Sequence, residues 1–222
     1  MKKIAVFGAG GFGREVHMLI QQINSKVLNW EFLGYFDDGI EKGIVLNDFP
    51  VLGGKNELNN WKEPIYIVYA IGEPGTKRKV IENIKNPLIK YPILIHPNVL
   101  IGDMKYNSIG EGTIICAGNI ITTNINIGKH VILNLSCTTG HDTIIGDYCS
   151  FMPTVNISGE VIIEEGVYIG TGAKIINQLS IGKNTIVGAG AVVAKTLPEN
   201  CIAVGVPAKV IKMRTESTGR GG

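Results

Sequence analysis

The 222-residue sequence lacks the features that mark membrane, secreted and nucleic-acid-binding proteins. No apolar run approaches the ~20 residues that a transmembrane helix requires. The apolar run after Met1-Lys2-Lys3 ends at Gly8, which is too short for the core of a signal peptide. Positive and negative side chains nearly cancel, with a net charge of +2, so electrostatics predict no general affinity for nucleic acid. We therefore expect a cytoplasmic protein with no membrane or nucleic-acid partner.

Cysteine is scarce, and its spacing argues against a zinc site. The chain has four cysteines, and no two of them form the C-x-x-C pair typical of zinc sites. They are Cys116, Cys137, Cys149 and Cys201. In a cytoplasmic protein these thiols stay reduced, and we expect them to be small core residues. The sequence thus predicts no metal.

The sequence does contain a strong repeat, because a mostly apolar residue recurs at every sixth position from residue 109 to residue 195. These positions, called anchors below, are Ile109, Ile115, Ile121, Ile127, Leu133, Thr139, Ile145, Phe151, Ile157, Ile163, Ile169, Ile175, Ile181, Val187 and Val193. Neither the 3.6-residue period of a helix nor the two-residue period of a strand produces this spacing, which is typical of a hexapeptide parallel β-helix. Thr139 is the one anchor that is not bulky and apolar.

Three six-residue repeats make one triangular coil, so residues eighteen apart lie above one another. In this arrangement His141, two residues after the irregular anchor Thr139, stacks against Gly159. A histidine beside a residue without a side chain leaves room for a ligand against bare backbone. Asp142 follows directly and is close enough to accept a hydrogen bond from the ring. The sequence therefore indicates a functional pair at His141 and Asp142, although an exposed corner without function has the same spacing.

A different pattern precedes the repeat and predicts a small α/β domain. Apolar residues 4–7 indicate a strand, the glycine-rich residues 8–13 a turn, and residues 14–23 an amphipathic helix. Strand, glycine turn and helix in this order open a nucleotide-binding βαβ unit. Further strands are expected at residues 32–36, 65–71 and 93–95.

The two patterns divide the chain into two expected domains. We place a Rossmann-like α/β domain at residues 1–96, too short for the full dinucleotide fold. Residues 97–222 are assigned to the β-helix and a C-terminal segment. The last residues, 215–222, are polar and glycine-rich, which predicts disorder.

Four motifs occur in a characteristic order: Gly8-Ala9-Gly10-Gly11-Phe12-Gly13-Arg14, Tyr35-Phe36-Asp37-Asp38, Gly140-His141-Asp142-Thr143-Ile144-Ile145-Gly146-Asp147 and Val204-Gly205-Val206-Pro207-Ala208-Lys209. In this combination the chain resembles the bacterial sugar O/N-acyltransferases of the sialic acid O-acetyltransferase type, which include enzymes that acetylate UDP-4-amino-sugars. The resemblance implies a left-handed β-helix, which is unusual because parallel crossovers are normally right-handed. It also implies acetyl-CoA as donor and a homotrimer with active sites between adjacent subunits.

The resemblance also implies roles for individual residues of the β-helix. His141 is similar to the family's general base and Asp142 to the acidic residue that orients it. Gly159 matches a position beside the thioester end of CoA. Gly205 and Pro207 match the C-terminal segment that meets CoA.

The resemblance places the sugar nucleotide at the N-terminal glycine loop, residues 8–13. The loop residues concerned are Gly8, Gly10, Gly11, Phe12 and Gly13. Asp37 and Asp38 are expected near the base or the ribose. Two residues depart from the family, because Phe12 stands where histidine is frequent and Ser150 where the UDP-amino-sugar enzymes have a second histidine. Because of Phe12, the resemblance does not determine the identity of the nucleotide sugar. Because of Ser150, it does not determine whether a second side chain contacts the donor.

Several functions fit these features. The favoured one is acetylation of the amine of a nucleotide-linked 4-amino-sugar in cell-surface glycan biosynthesis, because a glycine turn at a helix N-terminus suits phosphate. The first alternative is O-acetylation of sialic acid or another sugar hydroxyl. A nicotinamide-dependent oxidoreductase is a more distant alternative, since Gly8-x-Gly10-x-x-Gly13 fits a dinucleotide fingerprint. A non-catalytic trimeric scaffold is the last.

Overall fold

The chain forms an N-terminal α/β unit followed by a β-solenoid in the computed structural model, which describes residues 1–214. The disorder predicted for residues 215–222 concerns residues outside this range. Among the described residues, no helix is both long and apolar enough to cross a membrane. The elements of the α/β unit are β1 (Lys2–Phe7), α1 (Gly11–Asn24), β2 (Trp30–Phe36), β3 (Val45–Leu46), β4 (Phe49–Gly53), α2 (Lys55–Asn59), β5 (Ile65–Tyr69), α3 (Pro74–Glu82) and β6 (Ile89–Lys90).

The α/β unit is built on a sheet with the strand order β3-β4-β2-β1-β5-β6, in which β3 alone is antiparallel to its neighbour. α1 packs Val16, Leu19 and Ile20 into the core beside this sheet. The turn before α1 requires Gly13, because a Cβ there would collide with the carbonyl oxygen of Gly8. This close approach of helix and strand is the geometry that the glycine spacing predicts.

β3 and β4 form a hairpin that the sequence pattern does not predict. Its turn is Asn47-Asp48, and both residues have positive φ, 45° and 69°. This is the backbone that two-residue hairpin turns require. Pro50 hides β4 in the sequence, because proline is normally excluded from the interior of a sheet.

The remaining described residues form a left-handed parallel β-helix with three faces. The first face contains β7 (Leu94–Ile95), β10 (Ile114–Ile115), β13 (Ile132–Leu133), β16 (Ser150–Phe151), β19 (Tyr168–Ile169), β22 (Ile186–Val187), β24 (Cys201–Val204) and β25 (Lys209–Met213). The second face contains β8 (Leu100–Ile101), β11 (Ile120–Ile121), β14 (Thr138–Thr139), β17 (Asn156–Ile157), β20 (Lys174–Ile175) and β23 (Val192–Val193). The third face contains β9 (Ser108–Ile109), β12 (Asn126–Ile127), β15 (Ile144–Ile145), β18 (Ile162–Ile163) and β21 (Ser180–Ile181).

The register of the solenoid is the one that the six-residue repeat predicts. β14 pairs with β17 so that Thr139 lies beside Ile157, eighteen residues further on. From Ile115 to Val193 every anchor points inward and is at most 2% exposed. Cys137 and Cys149 are buried in the same core. The prediction of a hexapeptide β-helix is therefore confirmed.

The solenoid begins earlier than the repeat indicates. The sequence pattern assigns residues 93–95 to the α/β domain, but β7 pairs with β10, and β8 pairs with β11. Partners in these two pairs are twenty residues apart, because the connection between β8 and β9 is two residues longer than in later coils. The insertion hides the first coil from a search with a fixed period. We propose a domain boundary at residue 93 in place of residue 96.

The α/β unit packs on the first face of the solenoid. Leu94 and Ile114, which point outward from this face, are buried in a core shared with α1. Lys77 of α3 is also buried there, and its amine donates to the hydroxyl of Ser150 at 2.9 Å. Burial lowers the pKa of Lys77 to about 7. The chain's own N-terminal unit thus covers the first face at β7, β10, β13 and β16.

The irregular anchor Thr139 generates a test of the solenoid core. Its Oγ1 is buried without a hydrogen-bond partner among residues 1–214, whereas the equally buried Oγ1 of Thr143 donates to the Ser158 carbonyl at 3.2 Å. Thr139→Val should raise the free energy of unfolding by about 1 kcal/mol, because it removes an unpaired hydroxyl, and Thr143→Val should lower it by about as much. Urea denaturation at one protein concentration measures both. Destabilisation by Thr139→Val would contradict the conclusion that the Thr139 hydroxyl is buried without a partner.

Candidate active site

His141 lies at the corner that joins β14 on the second face to β15 on the third. Asp142, the next residue, has a φ of +57°, and its amide donates to the carbonyl of Thr123 in the preceding coil at 3.1 Å. The carbonyl of His141 accepts from the amide of Glu160 in the following coil at 2.8 Å. Coils on both sides therefore hold the backbone of this corner, while the imidazole is 56% exposed.

The imidazole of His141 and the carboxylate of Asp142 form a hydrogen-bonded pair. Nδ1 of His141 lies 2.7 Å from Oδ2 of Asp142. Because a carboxylate only accepts hydrogen bonds, Nδ1 donates, and Nε2 of the neutral ring keeps a free lone pair. The hydrogen bond from His141, followed by one from Asn124, lowers the pKa of Asp142 from its usual value. This is the arrangement of a general base with an orienting carboxylate.

Gly159 forms the surface against which the imidazole lies. A Cβ at Gly159 would collide with Nε2 and Cε1 of His141, so the ring packs on bare backbone. The N–H of Gly159 has no backbone acceptor within the described range. Gly159 is itself buried, so the imidazole lies directly on its backbone.

Gly205 and Pro207 lie in the loop between β24 and β25. The carbonyl of Gly205 accepts from the amide of Val192 at 3.0 Å, which fixes the loop to the second face. Val192 is three coils from Thr138 in the same column, about 14 Å along the axis at about 4.8 Å per coil. The loop and His141 thus border the same face at different heights.

The glycine loop is held by Asp37. Its Oδ2 accepts from the amide of Ala9 and its Oδ1 from the amide of Gly39, both at 2.8 Å. Because both oxygens bond the chain's own backbone, Asp37 shapes the loop, and its contact with a base or ribose stays a prediction. Side chains at Gly10 and Gly11 would meet no atom within 4 Å, so the N-terminus of α1 is open.

Phe12 and Asp38 have unlike surroundings. Phe12 is half-buried and packs against the core of the α/β unit. Asp38 accepts from the amide of Lys55 at 2.8 Å and pairs with its ammonium group at 3.6 Å. Asp37, Asp38 and Lys42 line an open groove of about 270 Å³ beside the glycine loop. A role of this groove for the nucleotide stays a prediction.

One chain does not bring the glycine loop and His141 together. The unit that carries the loop packs on the first face, whereas His141 lies at the corner between the second and third faces. In a three-sided solenoid that corner is opposite the first face. Ser150 also lies on the first face, fully buried beneath Lys77, so it has no access to His141 within its own chain.

The structure adds residues that the sequence pattern does not single out. Asn124 donates to Asp142 at 2.9 Å, and its signal in the sequence is its place eighteen residues before that aspartate.

His17 and His130 are buried rather than placed at the candidate site. Burial lowers the pKa of His130 to about 4, and its ring stacks on Tyr148. Within residues 1–214 no group of three or more His, Cys, Asp or Glu residues is arranged to hold a metal ion.

Comparison with known proteins identifies relatives of both units. The PglD N-terminal domain model matches residues 3–84, and the bacterial transferase hexapeptide (six repeats) model matches residues 160–195. GDP-perosamine N-acetyltransferase from Escherichia coli O157:H7 is 33% identical over 190 residues, which are 86% of this chain and 85% of the relative.

Two solved structures extend the similarity over nearly the whole chain. The acetyltransferase domain of PglB from Neisseria gonorrhoeae FA1090, in complex with acetyl coenzyme A, is 32% identical with a TM-score of 0.82 and covers 95% of this chain and 99% of its own. PerB from Caulobacter crescentus, in complex with CoA and GDP-perosamine, is 28% identical with a TM-score of 0.83 and covers 96% and 98%.

The solenoid and its histidine corner define an acyltransferase of the hexapeptide-repeat class. Within this class the chain belongs to the sugar acyltransferase family, and it is an acetyl-CoA-dependent sugar acetyltransferase. The family and the donor implied by the sequence resemblance are therefore confirmed. The oxidoreductase and scaffold alternatives are wrong.

The contact between Gly159 and the imidazole predicts the effect of a single methyl group. In Gly159→Ala the Cβ displaces the ring from the corner, while the inward-facing core is untouched. We expect kcat to fall by about 10²-fold or more, which is a typical contribution of a positioned base. Steady-state CoA release measures kcat, and thermal unfolding checks that the fold persists. A stable Gly159→Ala variant with wild-type kcat would contradict this site.

Proposed function

We propose that the chain transfers the acetyl group of acetyl-CoA to the amine of a nucleotide-linked 4-amino-sugar. His141 is the general base, and Asp142 orients it. The observation that carries the proposal is the free Nε2 of His141 on the bare backbone of Gly159, with Nδ1 held by Asp142. The imidazole is 56% exposed, so a ligand at this corner can reach it from solvent.

The proposed reaction is a direct transfer. The sugar amine attacks the thioester carbonyl carbon while Nε2 of His141 takes the amine proton. The new N–C bond forms, the C–S bond breaks, and the leaving CoA thiolate receives the proton from Nε2. Asp142 stabilises the imidazolium, and the N–H of Gly159 donates to the carbonyl oxygen as it gains charge. The cysteines are buried, so an acyl-cysteine intermediate has no support.

The donor in this proposal lies along one edge of the second face. Its thioester is at Gly159, and its distal part reaches the loop of Gly205 and Pro207, which is two coils further along the axis than Gly159. This extended path suits a long, flexible pantetheine arm.

The acceptor is assigned from the glycine loop and the relatives. α1 begins after Gly10, and no side chain caps its first N–H groups, which are therefore free to bind phosphate. The E. coli relative is an N-acetyltransferase named for GDP-perosamine, and the Caulobacter structure holds GDP-perosamine with CoA. Both support a nucleotide-linked amino sugar as the acceptor.

We also infer a homotrimer with active sites between adjacent subunits. Ile120, Ile144 and Ile162 are exposed on the second and third faces, which border the His141 corner. A neighbouring subunit that covers these side chains would carry its own glycine loop to that corner. This arrangement unites the two halves of the site that a single chain holds apart.

The proposal includes a cytoplasmic location and a role in cell-surface glycan biosynthesis. The four cysteines are unpaired, as expected for a reducing compartment. Nucleotide-linked sugars and acetyl-CoA are both cytoplasmic metabolites.

Loss of the base tests the proposed chemistry. His141→Ala should lower kcat/KM by about 10²–10⁴-fold, because proton removal from the amine then falls to water. The assay follows CoA release with GDP-, UDP- and dTDP-linked 4-amino-sugars and with free sialic acid as acceptors. Full activity of His141→Ala under saturating substrates would refute the mechanism. If only sialic acid is acetylated, the acceptor is a sugar hydroxyl, and the proposed amine acceptor is wrong.

Mixed oligomers test the shared site. Gly11→Glu should block nucleotide binding without a clash, because its side chain has open space but repels the diphosphate. Neither this variant nor His141→Ala should be active alone. Co-expression should restore part of the activity, since some interfaces then combine an intact His141 with an intact loop. No recovery in co-purified oligomers would contradict a site between subunits.

A further inference from the structure

We propose that Asn124 is a positioning residue that holds the carboxylate of Asp142 in the orientation His141 needs. The inference rests on the proposed role of His141 as base. Nδ2 of Asn124 donates to Oδ1 of Asp142 at 2.9 Å, while Oδ2 of the same carboxylate accepts from His141 at 2.7 Å. Each carboxylate oxygen therefore has its own partner, and the three side chains form one chain of hydrogen bonds.

Hydrogen bonds are needed to fix the orientation of the Asp142 carboxylate between Asn124 and His141. The imidazole of His141 packs on Gly159, but the side chain of Asp142 is 48% exposed, so packing alone does not confine the rotamer of Asp142. A carboxylate held at one oxygen alone rotates about its Cβ–Cγ bond and also bonds to water. Asn124 removes that freedom, because its donor fixes the second oxygen. The imidazole then keeps Nδ1 protonated and Nε2 directed at Gly159.

The backbone explains why asparagine stands at this place. Asn124 has a φ of +58°, and Asp142, one coil further on, has a φ of +57°. Asparagine and aspartate enter this left-handed region more readily than most residues with side chains. The amide is also neutral, so it orients Asp142 without cancelling the negative charge that stabilises an imidazolium. A lysine at the same place would compete with His141 for the carboxylate.

The same column contains a matched pair without a histidine. Gln178, with a φ of +61°, donates through Nε2 to the Glu160 carboxylate at 3.2 Å. The chemistry and the backbone resemble those of Asn124 and Asp142, two and three coils away from Asn124. Gln178 is therefore a control for the loss of an amide donor at a left-handed corner.

The test compares Asn124→Gly with Gln178→Gly, since glycine removes the donor and accepts the same φ without strain. Asn124→Gly should lower kcat by about five- to tenfold, the range expected for one hydrogen bond, with KM nearly unchanged. Gln178→Gly should leave both constants unchanged. Thermal unfolding should shift equally in the two variants.

The pH profile of kcat separates positioning from a structural role. In Asn124→Gly the acid limb should move to lower pH, because a mobile Asp142 stabilises the imidazolium less. In Asn124→Asp it should move to higher pH, because a second negative charge favours the imidazolium. Identical acid limbs in the wild type and both variants would overturn the inference.

A double substitution identifies the residue through which Asn124 acts. In an Asp142→Gly background, Asn124→Gly should cause no further loss of kcat, because the carboxylate it holds is absent. An undiminished fivefold loss in that background would overturn the inference, even if His141→Ala is inactive. An active His141→Ala would instead refute the proposed function, so the two failures are distinguishable.

Discussion

The stacking of hydrogen-bonded, eighteen-residue coils is the constraint on which the rest of the structure depends. Inward anchors fill the interior completely, and strand pairs such as β14 and β17 fix the step from one coil to the next. Corner residues therefore have defined neighbours even where they are exposed. His141 is placed by its coil, and Asn124 and Gly159 act on it from the coils on either side.

The three faces of the solenoid differ in what covers them. The first is covered by the α/β unit, through the shared apolar core and the buried amine of Lys77. The second and third faces keep exposed isoleucines beside the corner that carries His141. Attachment of the α/β unit to one face thus holds the glycine loop apart from His141 within one chain and leaves Ile120, Ile144 and Ile162 exposed on the other two faces.

The sequence predicts the periodic part of the molecule well, because burial of every sixth side chain is a local rule. It locates His141 against Gly159 for the same reason. The repeat does not reveal the first coil, since two inserted residues shift its anchors Ile95 and Ile101 out of register. The repeat and strand patterns also miss the β3–β4 hairpin, because Pro50 within β4 argues against a strand there. The bond of Asp37 to Ala9 and the bond of Asn124 to Asp142 depend on rotamers that no residue spacing specifies.

The placement of the C-terminal loop three coils from the base has a consequence for how such enzymes diverge. The axial distance between His141 and the loop of Gly205 changes only in whole coils, each about 4.8 Å high. If the donor binds as proposed, gain or loss of one eighteen-residue coil between them would leave His141 and Asp142 in place and change the distance that the donor spans. The solenoid therefore allows only discrete axial distances between its corners and the C-terminal loop. Under the proposed binding mode, the number of coils sets the length of the donor site without changing His141 and Asp142.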